Sequence, residues 1–226
     1  MIRLASKLNR NIQLSIACAL ATTSATFAYG EEGAMPDPLF SNDYVSVSRL
    51  ALAPGEELPM HSGNARVVYS LSDYTIRWTE DGETEENSWR EGEVHAHEAL
   101  EHAIKNTGTT IADLLIVSRS DAALPVIDNA DDAAAVPGGY AAVIADLEDV
   151  RVLRVALPSG AEQPLHAGAP RIVYSLNDYS VVLKTPGDEG REVDLATGSV
   201  HWHDAGPHAV VNSGDDTARF VIFAFR

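Results

Sequence analysis

The feature that most constrains this chain is an internal repeat. Residues 65–74 read ARVVYSLSDY and residues 170–179 read PRIVYSLNDY, with seven of the ten positions identical. The match continues in both directions at an offset of 105 residues, and of 106 after one insertion; the matched pairs include Gly55–Gly160, Pro59–Pro164, His61–His166, Gly92–Gly198, His95–His201, His97–His203, His102–His208, Asn106–Asn212 and Gly108–Gly214. A period this long suits a duplicated small domain better than a solenoid unit.

The segment between the copies has a different composition. Residues 121–139 are rich in Ala, Asp, Pro and Gly, which is typical of a linker, and we expect a short helix around Asp128–Ala135. The predicted organisation is therefore a first domain at 40–120, a linker at 121–139 and a second domain at 140–226.

Each copy has the pattern of an all-β domain. Tyr44–Leu52 and Val150–Leu157 alternate between apolar and polar residues, as half-buried strands do. Glycine-containing breaks separate further short strands in both copies, which favours a sandwich or a closed barrel. Phe220–Phe225 is almost entirely apolar and is predicted to be a strand buried on both faces.

The N-terminal segment resembles a secretory signal peptide. Arg3, Lys7 and Arg10 precede an apolar, small-residue run from Ile12 to Ala28, and no acidic residue occurs before Glu31. We expect cleavage after Ala28 and a periplasmic or secreted protein. A membrane anchor or a lipoprotein site at Cys18 is the alternative, but the run is short for a membrane span.

The net charge of the chain limits the classes of partner that it can bind. It has 16 basic and 33 acidic residues, and residues 1–28 contain three of the basic residues and no acid, which leaves a net charge of −20 after cleavage. Such a charge disfavours nucleic acid and anionic membrane surfaces as partners. We expect a small-molecule ligand, and the sequence leaves undecided whether the chain forms a homo-oligomer. The single cysteine lies in the signal segment, so no intramolecular disulfide is expected afterwards.

Both copies resemble the cupin superfamily. Gly55 and His61 match the start of the first cupin motif, and GEVHAHEALEHAIKN at residues 92–106 matches the second, with corresponding residues in copy two. The resemblance implies two tandem double-stranded β-helix (jelly-roll) barrels after a cleavable signal peptide. It also implies a divalent metal, which family members usually hold with three His and one Glu.

The chain departs from that ligand pattern in both copies. Gly63 and Gly168 replace the second His of the first motif, and Arg66 and Arg171 stand near the position of the Glu. The resemblance therefore carries over two ligands to each barrel, which are His61 with His102 and His166 with His208.

Two further histidines in each copy offer a substitute. His95 and His97, like His201 and His203, lie two residues apart on a predicted strand and therefore point to the same face. If this face lines the barrel, four imidazoles converge and suit zinc, iron, copper, nickel or manganese, which the sequence does not distinguish. If the face points outward, these histidines are solvated polar residues and His102 is a core histidine.

Two other residue types recur at matched positions. Arg66 and Arg171 could clamp a carboxylate or phosphate, or could form salt bridges with one of the many acids. Tyr69 and Tyr174 share their strands and are candidate ligand contacts, although packing is the commoner role.

Two functional classes follow. The first is a metal-binding bicupin of unassigned specificity, with metal-dependent enzyme activity on a small molecule left open. The second is a metal-free bicupin that binds a small molecule without chemistry. The fold alone does not choose between them.

Overall fold

The protein was analysed as a computed structural model, which describes residues 34–125, 127, 130–132 and 136–226. These residues form strands, turns and loops, with no helix among them and thus none that could span a membrane. The predicted signal peptide, residues 1–28, lies outside the described residues. So does most of the predicted linker helix around Asp128–Ala135, of which only residues 130–132 are described.

The described residues contain eighteen strands, nine in each copy. Those of copy one are β1 (Asp37–Ser41), β2 (Val45–Leu52), β3 (Glu57–Ser62), β4 (Arg66–Ser70), β5 (Tyr74–Glu80), β6 (Glu83–Trp89), β7 (Val94–His97), β8 (Glu101–Asn106) and β9 (Ala112–Arg119). Those of copy two are β10 (Tyr140–Asp146), β11 (Val150–Leu157), β12 (Glu162–Gly168), β13 (Arg171–Ser175), β14 (Tyr179–Lys184), β15 (Arg191–Leu195), β16 (Val200–His203), β17 (Gly206–Asn212) and β18 (Ala218–Phe225).

Each copy folds into two facing antiparallel sheets. Copy one has a five-stranded sheet in the order β1-β2-β9-β4-β7 and a four-stranded sheet in the order β3-β8-β5-β6. Copy two repeats this arrangement as β10-β11-β18-β13-β16 and β12-β17-β14-β15. No sheet of the described region mixes strands of the two copies, so the duplication produces two jelly-roll barrels, as predicted.

The central strands of the five-stranded sheet in copy two are largely buried on both faces. In β18, Phe220 and Ile222 point into the second barrel, whereas Val221 and Phe223 point into a layer between the barrels. The strand is therefore buried on both faces, as its composition predicted. The inter-barrel layer contains residues of both copies, among them Val45, Val47, Tyr69, Leu115, Val152, Ile172, Tyr174 and Phe223.

A repeated asparagine closes one turn in each barrel. The Asn106 side-chain amide donates to the carbonyls of Leu52 and Thr110, while its oxygen accepts from the backbone N–H of Gly108. Asn212 makes the equivalent three bonds in copy two. The Asn that ends the second motif is thus a structural residue, because it satisfies backbone groups that the strands leave unpaired.

Candidate functional site

The repeated histidines and arginines meet inside each barrel through cross-strand pairing. In barrel 1, His61 on β3 faces His102 on β8, and their ring centroids lie 4.2 Å apart. On the opposite sheet, Arg66 on β4 faces His97 on β7. Barrel 2 repeats both pairs, with His166 opposite His208 and Arg171 opposite His203.

The arginine in each barrel donates a hydrogen bond to a histidine. Arg66 Nη2 lies 2.8 Å from His102 Nε2, and Arg171 Nη2 lies 2.8 Å from His208 Nε2. Because a guanidinium can only donate, each Nε2 must present its lone pair and Nδ1 must carry the proton. His102 Nδ1–H then donates to the carbonyl of Leu100, 3.1 Å away.

These histidines are held in the neutral form. Burial and then the neighbouring Arg171 lower the pKa of His208 to about 3. Burial, opposed by the hydrogen bond to Leu100, lowers the pKa of His102 to about 4. Both imidazoles therefore accept from an arginine at neutral pH and carry no charge themselves.

The arginine also explains the glycine that departs from the motif. A Cβ placed on Gly63 would lie 2.5 Å from Arg66 Nη1 and 2.5 Å from His102 Cε1, too close for any side chain without movement. Gly168 is crowded in the same way by Arg171 and His208. The guanidinium therefore occupies the space into which a histidine at this position would extend.

The residues present do not fit the metal that the family resemblance implies. Within the described residues, no group of three or more His, Cys, Asp or Glu side chains is arranged to hold a metal ion. In addition, the Nε2 lone pairs of His102 and His208 accept from a guanidinium, and a cation beside a second cation is disfavoured. The eight predicted ligands that fail to form such a set are His61, His95, His97, His102, His166, His201, His203 and His208.

The β7 histidines share a face, as the strand period predicted, and of the two directions left open that face takes the inward one. His95 is buried and its ring stacks on Trp89 at 3.9 Å, while His97 stacks on Trp78 at 4.2 Å. Both ring nitrogens of His95 are buried without a hydrogen-bond partner among the described residues. Burial therefore lowers the pKa of His95 to about 4.

The predicted tyrosine contacts lie elsewhere. Tyr69 and Tyr174 alternate with the inward-facing residues of β4 and β13, and they are buried in the inter-barrel layer. The structure therefore places both side chains on the sheet face turned away from the barrel interiors, where they pack between the barrels. Trp202, which follows His201, likewise packs there and stacks on Tyr44 at 5.5 Å.

The two barrels differ in how their interiors are filled. Trp78 stacks on His97 and His102, at 4.2 and 4.4 Å, so its ring lies between the two sheets of barrel 1. The positions of Trp78 and Trp89 correspond to Leu183 and Leu195 in copy two, at offsets of 105 and 106 residues. With the smaller leucines, barrel 2 contains a cavity of about 190 Å³ that both residues line.

Both apolar and polar side chains line the cavity in barrel 2. Its polar lining consists of Gln163, Arg171, Tyr179, Arg191, His201, His203 and His208, and its apolar lining consists of Val173, Val181, Leu183, Val193, Leu195, Val210, Phe220 and Ile222. Trp202 also borders the cavity, although its ring packs in the inter-barrel layer. The described lining contains no Asp or Glu, although the chain as a whole carries 33 of them. Its charged side chains are both arginines.

The linker approaches the arginine of barrel 2. The N–H of Asp131 donates to the carbonyl of Ala167, and Asp132 Oδ2 accepts from the N–H of Ala169. Asp132 Oδ1 lies 3.8 Å from Arg171 Nε, and both side chains are 5% exposed. Arg171 is therefore buried with an acidic partner beside its Nε, whereas its counterpart Arg66 is only half-buried.

Sequence reasoning did not identify Asp132, Gln163, Arg191, Leu183 or Leu195 as site residues. Four of them were detectable as differences between the aligned copies: besides the two leucines, Gln163 replaces Leu58 and Arg191 replaces Glu85. Asp132 lies in the linker, which has no counterpart to compare.

Comparison with known proteins identifies the architecture. No family model and no curated protein matches the chain. Among solved structures, AerE from Microcystis aeruginosa is 17% identical, with a TM-score of 0.60 over 85% of this chain and 98% of AerE. Bacillus subtilis oxalate decarboxylase, studied for its Mn(II) centres, is 13% identical, with a TM-score of 0.59 over 80% of this chain and 69% of its own.

A third similar structure carries the family name. A cupin 2 conserved barrel domain protein from Leptotrichia buccalis is 11% identical, with a TM-score of 0.54 over 88% of this chain and 92% of its own. At these identities the likeness establishes fold alone, and function must be argued from the site. The chain has a bicupin fold, like these solved structures.

Proposed function

We propose that the protein is a ligand-binding bicupin whose second barrel holds a small organic molecule without a resident metal. The observation that carries the proposal is the difference between the interiors. In barrel 1 the Trp78 ring lies between the two sheets, stacked on His97 and His102, whereas Leu183 at the matched position lines a cavity of about 190 Å³ in barrel 2. Ligand sites are typically concave and largely apolar, with a few convergent polar groups, and this cavity has those properties.

The chemistry of the site supports binding without a metal. In each barrel, the imidazole nitrogen that would face a metal instead accepts from Arg66 or Arg171. A guanidinium is a permanent cation with a fixed donor geometry, so it supplies positive charge inside the barrel without a metal ion. The proposal does not include catalysis, because ligand binding alone accounts for a cavity lined by neutral histidines.

The proposal is tested by closing the cavity. Small aromatic probes, benzamide and benzoate, are titrated into chelator-treated protein, and binding is followed by ligand-observed NMR. Benzene enters an engineered apolar cavity of about 150 Å³, so a cavity of this size admits such probes. Leu183→Trp should abolish binding, because it places in barrel 2 the side chain that lies between the sheets of barrel 1.

A matched control separates cavity filling from a general effect of added tryptophan. Glu192 lies on β15, is exposed and does not line the cavity. Glu192→Trp should therefore leave probe binding unchanged. Binding that survives Leu183→Trp, or that requires an added divalent metal, would contradict the proposal.

A further inference from the structure

We infer that the ligand of barrel 2 is a small organic carboxylate with an apolar body, anchored by Arg171. The inference rests on the proposed function and specifies its ligand class. Three features of the cavity support it: the sign of the charges in its lining, the remaining donors of Arg171 and the apolar side chains of the lining.

The charges of the lining select for an anion. The charged side chains that line the cavity are Arg171 and Arg191, and the described lining holds no carboxylate. Asp132 faces Arg171 at 3.8 Å but is not part of that lining, so it approaches the guanidinium from outside the cavity. In a chain with a net charge of −17, two arginines lining one cavity indicate a site for a negative group.

The hydrogen bonds of Arg171 leave donors for such a group. One Nη1 N–H donates to the carbonyl of Ala169 at 2.9 Å, and one Nη2 N–H donates to His208 Nε2 at 2.8 Å. A guanidinium has five N–H groups, and paired N–H donors match the two oxygens of a carboxylate. The residue is 4% exposed, so its bonds to a ligand would be formed away from bulk water.

The apolar part of the lining indicates what the ligand carries besides its carboxylate. Leu183, Leu195, Val181 and Phe220 line the cavity together with Arg171. A carboxylate attached to a ring or to a short hydrocarbon chain can satisfy both the polar and the apolar parts. A bare inorganic anion would leave the apolar volume unfilled.

The test compares benzoate with benzamide, which have nearly the same shape but differ in charge. The wild-type chain should bind benzoate at least about tenfold more tightly than benzamide, because bonds to a buried charged group are the stronger ones. Arg171→Gln should weaken benzoate binding by about 10- to 100-fold and change benzamide binding little. The matched control, Arg66→Gln in barrel 1, should change neither.

Removing Arg171 leaves Asp132 buried without its partner, which could destabilise the fold and thereby reduce binding. A second variant is therefore needed to separate lost folding from lost binding. The double variant Arg171→Gln/Asp132→Asn removes both charges and should show the same selective loss of benzoate binding. If benzoate and benzamide bind equally, with both abolished by Leu183→Trp, the anion inference is wrong while the proposed cavity function stands. If neither probe binds the wild-type chain, both proposals fail.

Discussion

Filling the cavity of barrel 2 should stabilise the protein. The double variant Leu183→Trp/Leu195→Trp places in copy two the pair that copy one carries, Trp78 and Trp89. At about 24 cal/mol per Å³, a dry empty space of 190 Å³ corresponds to roughly 4–5 kcal/mol of lost stability. Polar groups in the lining admit water and reduce this cost, so we expect a gain of about 1–3 kcal/mol.

The assay is urea unfolding together with scanning calorimetry. For a domain pair of this size, the gain should raise Tm by roughly 3–10 °C. The reverse variant, Trp78→Leu/Trp89→Leu, should lose about 2–4 kcal/mol because it removes the stacking on His97 and His102. Phe220 lines the cavity and is bulkier than its counterpart Leu114, so barrel 2 has less room than barrel 1 for two tryptophans. The single variant Leu183→Trp is therefore measured as well, because it adds less volume. A loss of stability in both the single and the double variant would refute the reasoning.

Three further predictions concern pH, metal and processing. Burial lowers the pKa of His203 to about 3, so below pH 6.5 the unfolded chain takes up a proton that the folded chain does not. Stability should therefore fall as the pH drops from 6.5 towards 3, by up to about 1.4 kcal/mol per pH unit for each such histidine. The free energy of unfolding, measured by urea titration at several pH values, should depend less steeply on pH in His203→Gln than in the wild-type chain. An unchanged pH dependence would count against a buried, neutral His203. A chelator should leave Tm unchanged and stoichiometric zinc should not raise it, because Arg66 and Arg171 occupy the histidine nitrogens; a chelator-sensitive Tm would restore the metal interpretation. Mass spectrometry of protein from its native host should find an N-terminus at Tyr29, whereas a retained Met1 or a lipidated Cys18 would exclude the proposed cleavage.

The fold was predictable because it depends on local patterns that occur twice. A strand period of two fixes which residues share a face, so the common direction of His95 and His97 followed from their spacing. The same rule places Phe220 and Val221 on opposite faces of β18, which explains its wholly apolar sequence.

The site was less predictable because it depends on what each inward residue meets across the barrel. That His102 accepts from Arg66 depends on the register of β3, β8 and β4, and the sequence does not determine that register. The cavity in barrel 2 depends on Leu183, which stands at the position of Trp78 in copy one. This difference becomes meaningful only when the side-chain volumes at matched positions of the two copies are compared. Asp132 reaches Arg171 through the path of the linker, which no strand pattern describes.

The central claim is that one barrel of the two holds a ligand and that no metal is needed. The most direct measurement is the stoichiometry of binding, by isothermal titration of the tighter of benzoate and benzamide into chelator-treated full-length chain. The account predicts one probe molecule per chain, with no change on adding zinc or manganese. Two molecules per chain, or binding that appears only after a divalent metal is added, would contradict it.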